Sequence, residues 1–422
     1  MTTNLTLRSP ARWWNLGSLA LLSAWLVTVA LMLHGSNDLD IFLQASGELV
    51  NGRNPYSRTY FEWYSYFYSP VFAWVVAPLR ALPLPLAKLI WGLLSLAAAL
   101  RTVHLLLERT ARPLLNPTLF AAVRFFALLV LFQSVRDNIN LSQVTLLLVW
   151  ACVEGLGRIE RGDAWTGGLL IAGALDMKLI PLVLLPYLAY RGHWRGLVAV
   201  ISCVAALQLA PFVVLGIDRG TELFHSRWAQ IDPNSVRHIL DEEEPSMLSW
   251  GSLLSAYLSV EGGGTNTLEL PRNLAQLSVG TIAALVWCGR ILFGLFALYF
   301  LRWPPFRKAG SPLHAGWELA YLLLVSILVF PHQRPYSLFL AAPAVVWLCT
   351  LAALRVSSST AKPWGWLTLC CVGYLGLNAL FLAGEFDELY DHYKLFSFVV
   401  LLLLGMLAWS TPERLRTVDG PR

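Results

Sequence analysis

Where the first long apolar run ends, the stretch SNDLDIF (Ser36–Phe42) sets two carboxylates, Asp38 and Asp40, beside the membrane boundary that such a run implies. Acids there can complement the macrodipole of a helix starting after Asn37, or one can act as a base toward a substrate hydroxyl. A second constellation is HQRPY (His332–Tyr336), where an imidazole, an amide, a guanidinium and a phenol stand between two apolar runs. It reads either as an interfacial turn with snorkelling side chains or as a set of donors and positive charge for an anion. Asp176 and Lys178 lie inside an apolar run, where an unpaired charge costs several kcal/mol or shifts its ionisation. Two apart on a helix, they do not face each other. Arg136, Asn138 and Gln143 make a polar knot between two further runs, and Arg290 stands alone near the middle of a long one.

The elements that must position these groups are helices in a membrane. Of 422 residues, 56% are hydrophobic and only 14% charged, a balance outside the soluble globular range. After the run Trp13 to Leu33, eleven further apolar runs are expected: 68–82, 86–107, 120–135, 144–156, 165–190, 197–215, 276–301, 317–330, 336–354, 364–382 and 395–409. The expectation is an all-α polytopic bundle of about twelve transmembrane helices, forming a single integral domain over residues 1–422 with its N-terminus inside. Basic residues at Arg191/Arg195, Arg302/Arg307/Lys308, Arg355/Lys362 and Arg414/Arg416 mark the cytoplasmic face. Arg109/Arg112 and Arg158/Arg161 look cytoplasmic too, yet strict alternation places them outside unless the segment around Pro83, or the one broken near Lys178 and Pro181, does not cross.

Two long connections, 34–66 and 216–273, fall on the external face with HQRPY and the acidic GEFDELYDH (384–392), and long loops on one face of a bundle are where chemistry tends to sit. Within the first, Leu39, Phe42, Leu43, Ser46, Leu49 and Val50 recur at helical spacing between an Asn37 cap and an Asn51-Gly52 stop, predicting a short amphipathic helix along the interface. The aromatic stretch that follows suits an interfacial belt or a face for sugar rings.

The net charge of +5 lies in short clusters between apolar runs, which sets orientation and excludes nucleic acid as a partner. All six cysteines fall inside apolar runs, so no disulfide framework or CxxC site is expected. No GxxxxGK[ST] or HExxH occurs; EGGGTN (261–266) reads as a loop, no cofactor is expected, and the spacing demands no metal.

DLDIF (38–42), GRNPY (52–56), YSPVFAWVVAPLRALP (68–83), LSQVTLLLVW (141–150), ALDMKLIPLVLLPYLAYRGHWRG (174–196) and FPHQRPYSLFLAAPA (330–344), in this order, resemble bacterial glycosyltransferase family 87. Ser142 stands where that family has Gly, Thr145 where it has Asn, Ser69 where it has the first of two prolines, and Ile180 separates Lys178 from Pro181. The resemblance implies a C-type glycosyltransferase fold in the plasma membrane with its site on the external face. It implies inverting transfer of a sugar, mannose or arabinofuranose, from a polyprenyl-phosphate donor to a lipid-linked or envelope glycan among membrane lipids. It makes Asp38 the general base, with Asp40 second, and His332, Arg334 and Lys178 the ligands of the donor phosphate. Tyr56, Arg136, Asn138, Gln143, Gln333 and Tyr336 would touch substrate. The competing reading is a transporter or lipid flippase using Asp176, Lys178 and Arg290 as intramembrane charges.

Overall fold

A computed structural model describes residues 10–62, 64–259, 268, 270–302, 304–357, 362–381 and 385–417. Among them the chain is helical, with one isolated β-bridge between Tyr60 and Tyr64. Six helices are long and apolar enough to cross a bilayer: Ala11–His34, Leu84–Thr110, Trp194–Leu215, Val279–Leu301, Pro312–Val329 and Pro335–Ser357. Pro117–Val130 and Phe132–Asn140, bent by 45° at their junction, make a seventh if taken as one span. The protein is a polytopic helical membrane protein. EGGGTN and Gly384 lie outside the described residues.

The count of about twelve spans is not reproduced as such, for reasons visible in the backbone. The run 68–82 is a seven-residue helix, Pro70–Val76, followed by a 3-10 turn, Ala77–Ala81. Pro78 within it and Pro83 just after it have no N–H with which to continue a hydrogen-bonded ladder. The run 165–190 breaks at Lys178, whose backbone is extended (φ −144, ψ 147), into Ala164–Met177 and a second piece that begins as a 3-10 turn and continues as Leu184–Tyr190. Thr145–Glu160 and Leu395–Trp409 are helices of 16 and 15 residues, short for a straight crossing.

These two breaks remove the conflict in the threading. Arg109 pairs with Glu160 at 2.8 Å and donates to the Pro312 carbonyl at 3.0 Å. Arg191 pairs with buried Glu318 and also donates to Leu301 and Arg307 carbonyls. The basic turns at Arg109, Arg158, Arg191 and Arg302 therefore share one end of the bundle, because 68–82 stays at the other end and the chain turns back at Lys178.

Pro312–Val329 and Pro335–Ser357 form the interior, with Trp317, Tyr321 and Trp347 fully buried. Trp194–Leu215 and Val279–Leu301 keep most of their apolar surface exposed, as helices facing lipid do. Lipid supplies no hydrophobic drive between helices, so close contact rests on small residues. A Cβ on Gly167 would fall 2.5 Å from the Gly155 carbonyl oxygen, and one on Gly168 would fall 2.6 Å from Ala199. These glycines seat Ala164–Met177 tightly between Thr145–Glu160 and Trp194–Leu215, and its C-terminal end delivers Lys178.

Candidate active site

The helix Asp38–Val50 begins after Asn37, whose extended backbone opens the first turn, and stops at Asn51 with Gly52 at φ +72. Asp38 and Asp40 both occupy that first turn, but the fold separates their tasks. Asp40 accepts from the Asn37 N–H at 2.9 Å and pairs at 3.0 Å with Lys88, a nearly inaccessible lysine whose ammonium also donates to the Gly35 carbonyl. Removing one member of a buried pair strands the other charge, so Asp40 closes the top of the first and fourth helices in chain order.

Asp38 is turned toward the opposite side. Its own N–H donates to the Leu141 carbonyl at 3.1 Å, which fixes the helix start on the turn before Thr145–Glu160. From that turn Gln143 donates to Asp38 Oδ2 at 2.5 Å. The oxygen of the same amide faces Lys178 Nζ at 3.4 Å, and Tyr336 Oη lies 3.5 Å from that ammonium. Lys178 also sits over the rings of Tyr336, at 5.0 Å, and Tyr68, at 5.9 Å. A carboxylate, an amide and a cation thus stand in one line, drawn from residues 38, 143 and 178.

Burial pushes the Asp38 carboxyl up to about 6; Lys178, the Gln143 hydrogen bond and Arg334 pull the other way. It is ionised at neutral pH yet far more basic than an exposed aspartate, as a general base requires.

Ser142 holds this turn at φ +53, a conformation that costs a residue with a Cβ on the order of 1 kcal/mol and glycine nothing. That accounts for glycine as the usual family residue here. The Ser142 carbonyl accepts from Trp91 Nε1 at 3.0 Å.

HQRPY approaches from the other side and is tied to the loop Asp241–Ser249. Asp241, fully buried, accepts from the His332 N–H at 3.0 Å and from Ser249 Oγ at 2.5 Å. The Leu248 N–H donates to the Gln333 carbonyl at 2.7 Å, and Arg334 pairs with Glu244 at 2.9 Å. His332 itself is at φ +56, held there by the Asp241 contact. Burial, with His238 and Arg237 nearby, holds the His332 imidazole down to about 3. It is neutral at physiological pH, so of the two expected phosphate ligands in this turn only Arg334 carries charge. Positive charge beside Asp38 comes from Lys178 and from Arg334, the latter paired with Glu244.

The remaining expected residues divide. Tyr336 and Gln143 are in the cluster. Asn138, buried, donates to the Tyr336 and Ser134 carbonyls at 2.7 Å each and so positions Tyr336. Gln333 is buried and donates to the Pro331 carbonyl within its own turn. Tyr56 is buried with its hydroxyl on the Tyr68 carbonyl at 2.7 Å, holding the aromatic loop together. Arg136 is exposed and reaches Gln133 at 3.3 Å, outside the cluster.

Asp176 does not pair with Lys178: it accepts from Ser69 Oγ and from Gln208 at 2.9 Å, with Arg227 at 3.8 Å. Saturated in this way, it offers no free intramembrane charge for a transport cycle. Sequence reading passed over Lys88, Asp241 and Glu244. Lys88, a lone charge in an apolar run, was a signal of the same kind as Lys178. DEEE (241–244) set against HQR (332–334) carried a charge complementarity across about ninety residues.

Comparison with known proteins places the chain in a family. A family model described as glycosyltransferase family 87 matches residues 66–331. Gln143 and Lys178 lie inside the match, His332 and Arg334 lie just past its C-terminal end, and Asp38 lies 28 residues before its start. The chain is also similar to the polyprenol-phosphate-mannose-dependent alpha-(1-2)-phosphatidylinositol pentamannoside mannosyltransferase of Mycobacterium tuberculosis (strain CDC 1551 / Oshkosh). The two are 24% identical over 351 residues, which cover 81% of this chain and 73% of that protein.

Proposed function

The chain belongs to glycosyltransferase family 87, and from that premise we propose that it transfers mannose from a polyprenyl-phosphate donor to a glycolipid acceptor at the external face of the plasma membrane, with inversion. The observation that carries this reading is the Asp38–Gln143–Lys178 line, a basic carboxylate and a cation held on one side chain.

In this reading Asp38 takes the proton of the acceptor hydroxyl while the hydroxyl oxygen attacks the anomeric carbon. The bond from that carbon to the phosphate oxygen breaks, and the polyprenyl phosphate leaves with its new negative charge. A single displacement inverts the anomeric centre. Lys178 and Arg334 stabilise the charge that develops on the phosphate, so no general acid is required of a leaving group that is itself a weak base. Gln143 holds Asp38 toward the acceptor and, through its other end, ties the base to the donor side. His332 lines the donor side without charge. The mannosyl specificity and the lipid donor follow the M. tuberculosis relative, whose name states both. The external placement follows the basic turns at the far end of the bundle, which belong in the cytoplasm.

The test is transfer by the purified full-length protein in detergent, supplied with radiolabelled polyprenyl-phosphate mannose and a lipid extract from its host. Label is expected to move into a glycolipid fraction, and nucleotide-activated mannose is expected not to substitute. Transfer from the nucleotide sugar alone would contradict the reading.

A further inference from the structure

Next to the donor side, three metal-ligand side chains converge that the mechanism above does not use as a set. His238, Glu243 and His332 each present a ligand atom, and these atoms lie within 4.8 Å of one another. We propose that they bind one divalent first-row transition ion, of the Zn²⁺ class, at the seam between the 232–244 segment and the HQRPY turn.

Several independent features support a site here. His238 is buried in the middle of the short helix Val236–Leu240, and its Nδ1 lies 2.5 Å from the Asp232 carbonyl. A carbonyl can only accept, so that nitrogen carries the proton and Nε2 keeps its lone pair, the arrangement in which a ring ligates metal. Glu243 gives one oxygen to Arg237, while Oε2 stands 3.6 Å from His332 Nδ1. His332 is a ring in want of partners: Nε2 is buried with none, and Nδ1 faces the Glu243 and Asp241 carboxylates at 3.6 and 3.7 Å, beyond hydrogen-bonding reach. Its backbone is nonetheless held in the left-handed region by the Asp241 carboxylate.

Two imidazoles and one carboxylate make the ligand set of an open zinc site, with a fourth position left for water or substrate. Magnesium and calcium, which favour all-oxygen shells, fit it poorly. Metal bonds of about 2.0–2.1 Å place tetrahedral ligand atoms roughly 3.3 Å apart, so ligand atoms that now lie within 4.8 Å of one another must draw in by up to roughly 1.5 Å. Glu243, on the surface and already 3.6 Å from His332, can follow by rotating. The ion would add positive charge where neutral His332 supplies none. That catalytic consequence rests on the donor-side reading above; binding of the ion does not.

The experiment uses full-length protein with its six native cysteines replaced, since exposed Cys288 and Cys370 would otherwise take up zinc. The protein is stripped with chelator and titrated with Zn²⁺, with bound metal measured after gel filtration, and Co²⁺ serves as the spectroscopic substitute. One equivalent per chain is expected, with Co²⁺ giving tetrahedral visible bands. Glu243→Gln, a surface change that leaves the fold intact, should weaken binding at least about tenfold, in line with losses on altering metal sites. His238→Ala and His332→Ala should abolish it, and Zn²⁺ should raise the unfolding temperature of the parent but not of Glu243→Gln. Sub-stoichiometric uptake, or uptake unchanged in monodisperse Glu243→Gln, would overturn the proposal whatever the protein's activity proves to be.

Discussion

The acid limb of the pH–rate profile reports the Asp38 environment directly. An exposed aspartate ionises near pH 4, whereas burial raises Asp38 to about 6. A base works in its ionised form, so kcat/KM should climb with pH to a plateau near 7, then turn down toward pH 8, where Lys178, lowered by burial to about 8, begins to lose its charge. With a pKa of about 6, roughly nine tenths of the carboxyl is ionised at pH 7 and roughly one tenth at pH 5, which sets a fall of about tenfold between those values. The perturbation is Lys178→Gln. Lys178 is the strongest of the influences that oppose burial at Asp38, and its removal takes a positive charge from the far end of the Gln143 bridge. The proton is then held more tightly, so the limb must move to higher pH, while the plateau drops because the donor phosphate loses a cation. Arg334→Gln should move the limb the same way by less, because Arg334 ranks below Lys178 in its effect and Glu244 already neutralises part of it. The assay is initial transfer rate from radiolabelled donor between pH 4.5 and 8, with protein integrity checked by gel filtration at each pH. A limb near pH 4, or one that stays put or moves to lower pH in Lys178→Gln, would refute the reasoning.

Asp40→Asn should behave as a stability variant: it strands buried Lys88, at a cost of about 3–5 kcal/mol, and should lower the unfolding temperature in detergent while the folded fraction keeps most of its kcat. Adding Lys88→Met should restore much of that loss. Arg334→Lys should recover only part of the activity lost in Arg334→Ala, because a lysine cannot offer two parallel N–H bonds to a phosphate; the donor KM, more than the acceptor KM, is the quantity that should move. For orientation, single cysteines at exposed Ser57 and Asn234 should react with an impermeant thiol reagent in intact cells, and one at Lys308 only after lysis. Labelling of Lys308 in intact cells would invert the topology.

Local signals carried far in this chain. The helix Asp38–Val50 was legible because a cap, a helical apolar stripe and Asn51-Gly52 all act within a few residues. The polytopic all-helical class was legible because lipid forces long apolar runs. What pairs with what was not. Asp40 meets Lys88 and Asp176 meets Ser69 across 48 and 107 positions, and no periodicity reports such distances. The same holds for DEEE, which reads as a solvated loop until Asp241 and Glu244 are found under HQRPY. The turn at Lys178 was announced by Pro181, but whether the chain crossed or turned back depended on close packing at Gly155, Gly167 and Gly168, which has no signature beyond small residues. Tyr56 and Gln333 show the converse: a motif position can be occupied for the loop's own hydrogen bonds.

The central claim is that Asp38 is the base that takes the acceptor proton, and Asp38→Asn tests it with almost no change in shape. Asn37, Asp40 and the Asp38 N–H contact with Leu141 remain, so the helix start should be retained and the unfolding temperature should stay near that of the parent. With donor and acceptor both saturating, kcat should fall on the order of 100- to 10,000-fold, the usual range for loss of a general base. A folded Asp38→Asn protein that turns over at close to the parent rate would contradict the account.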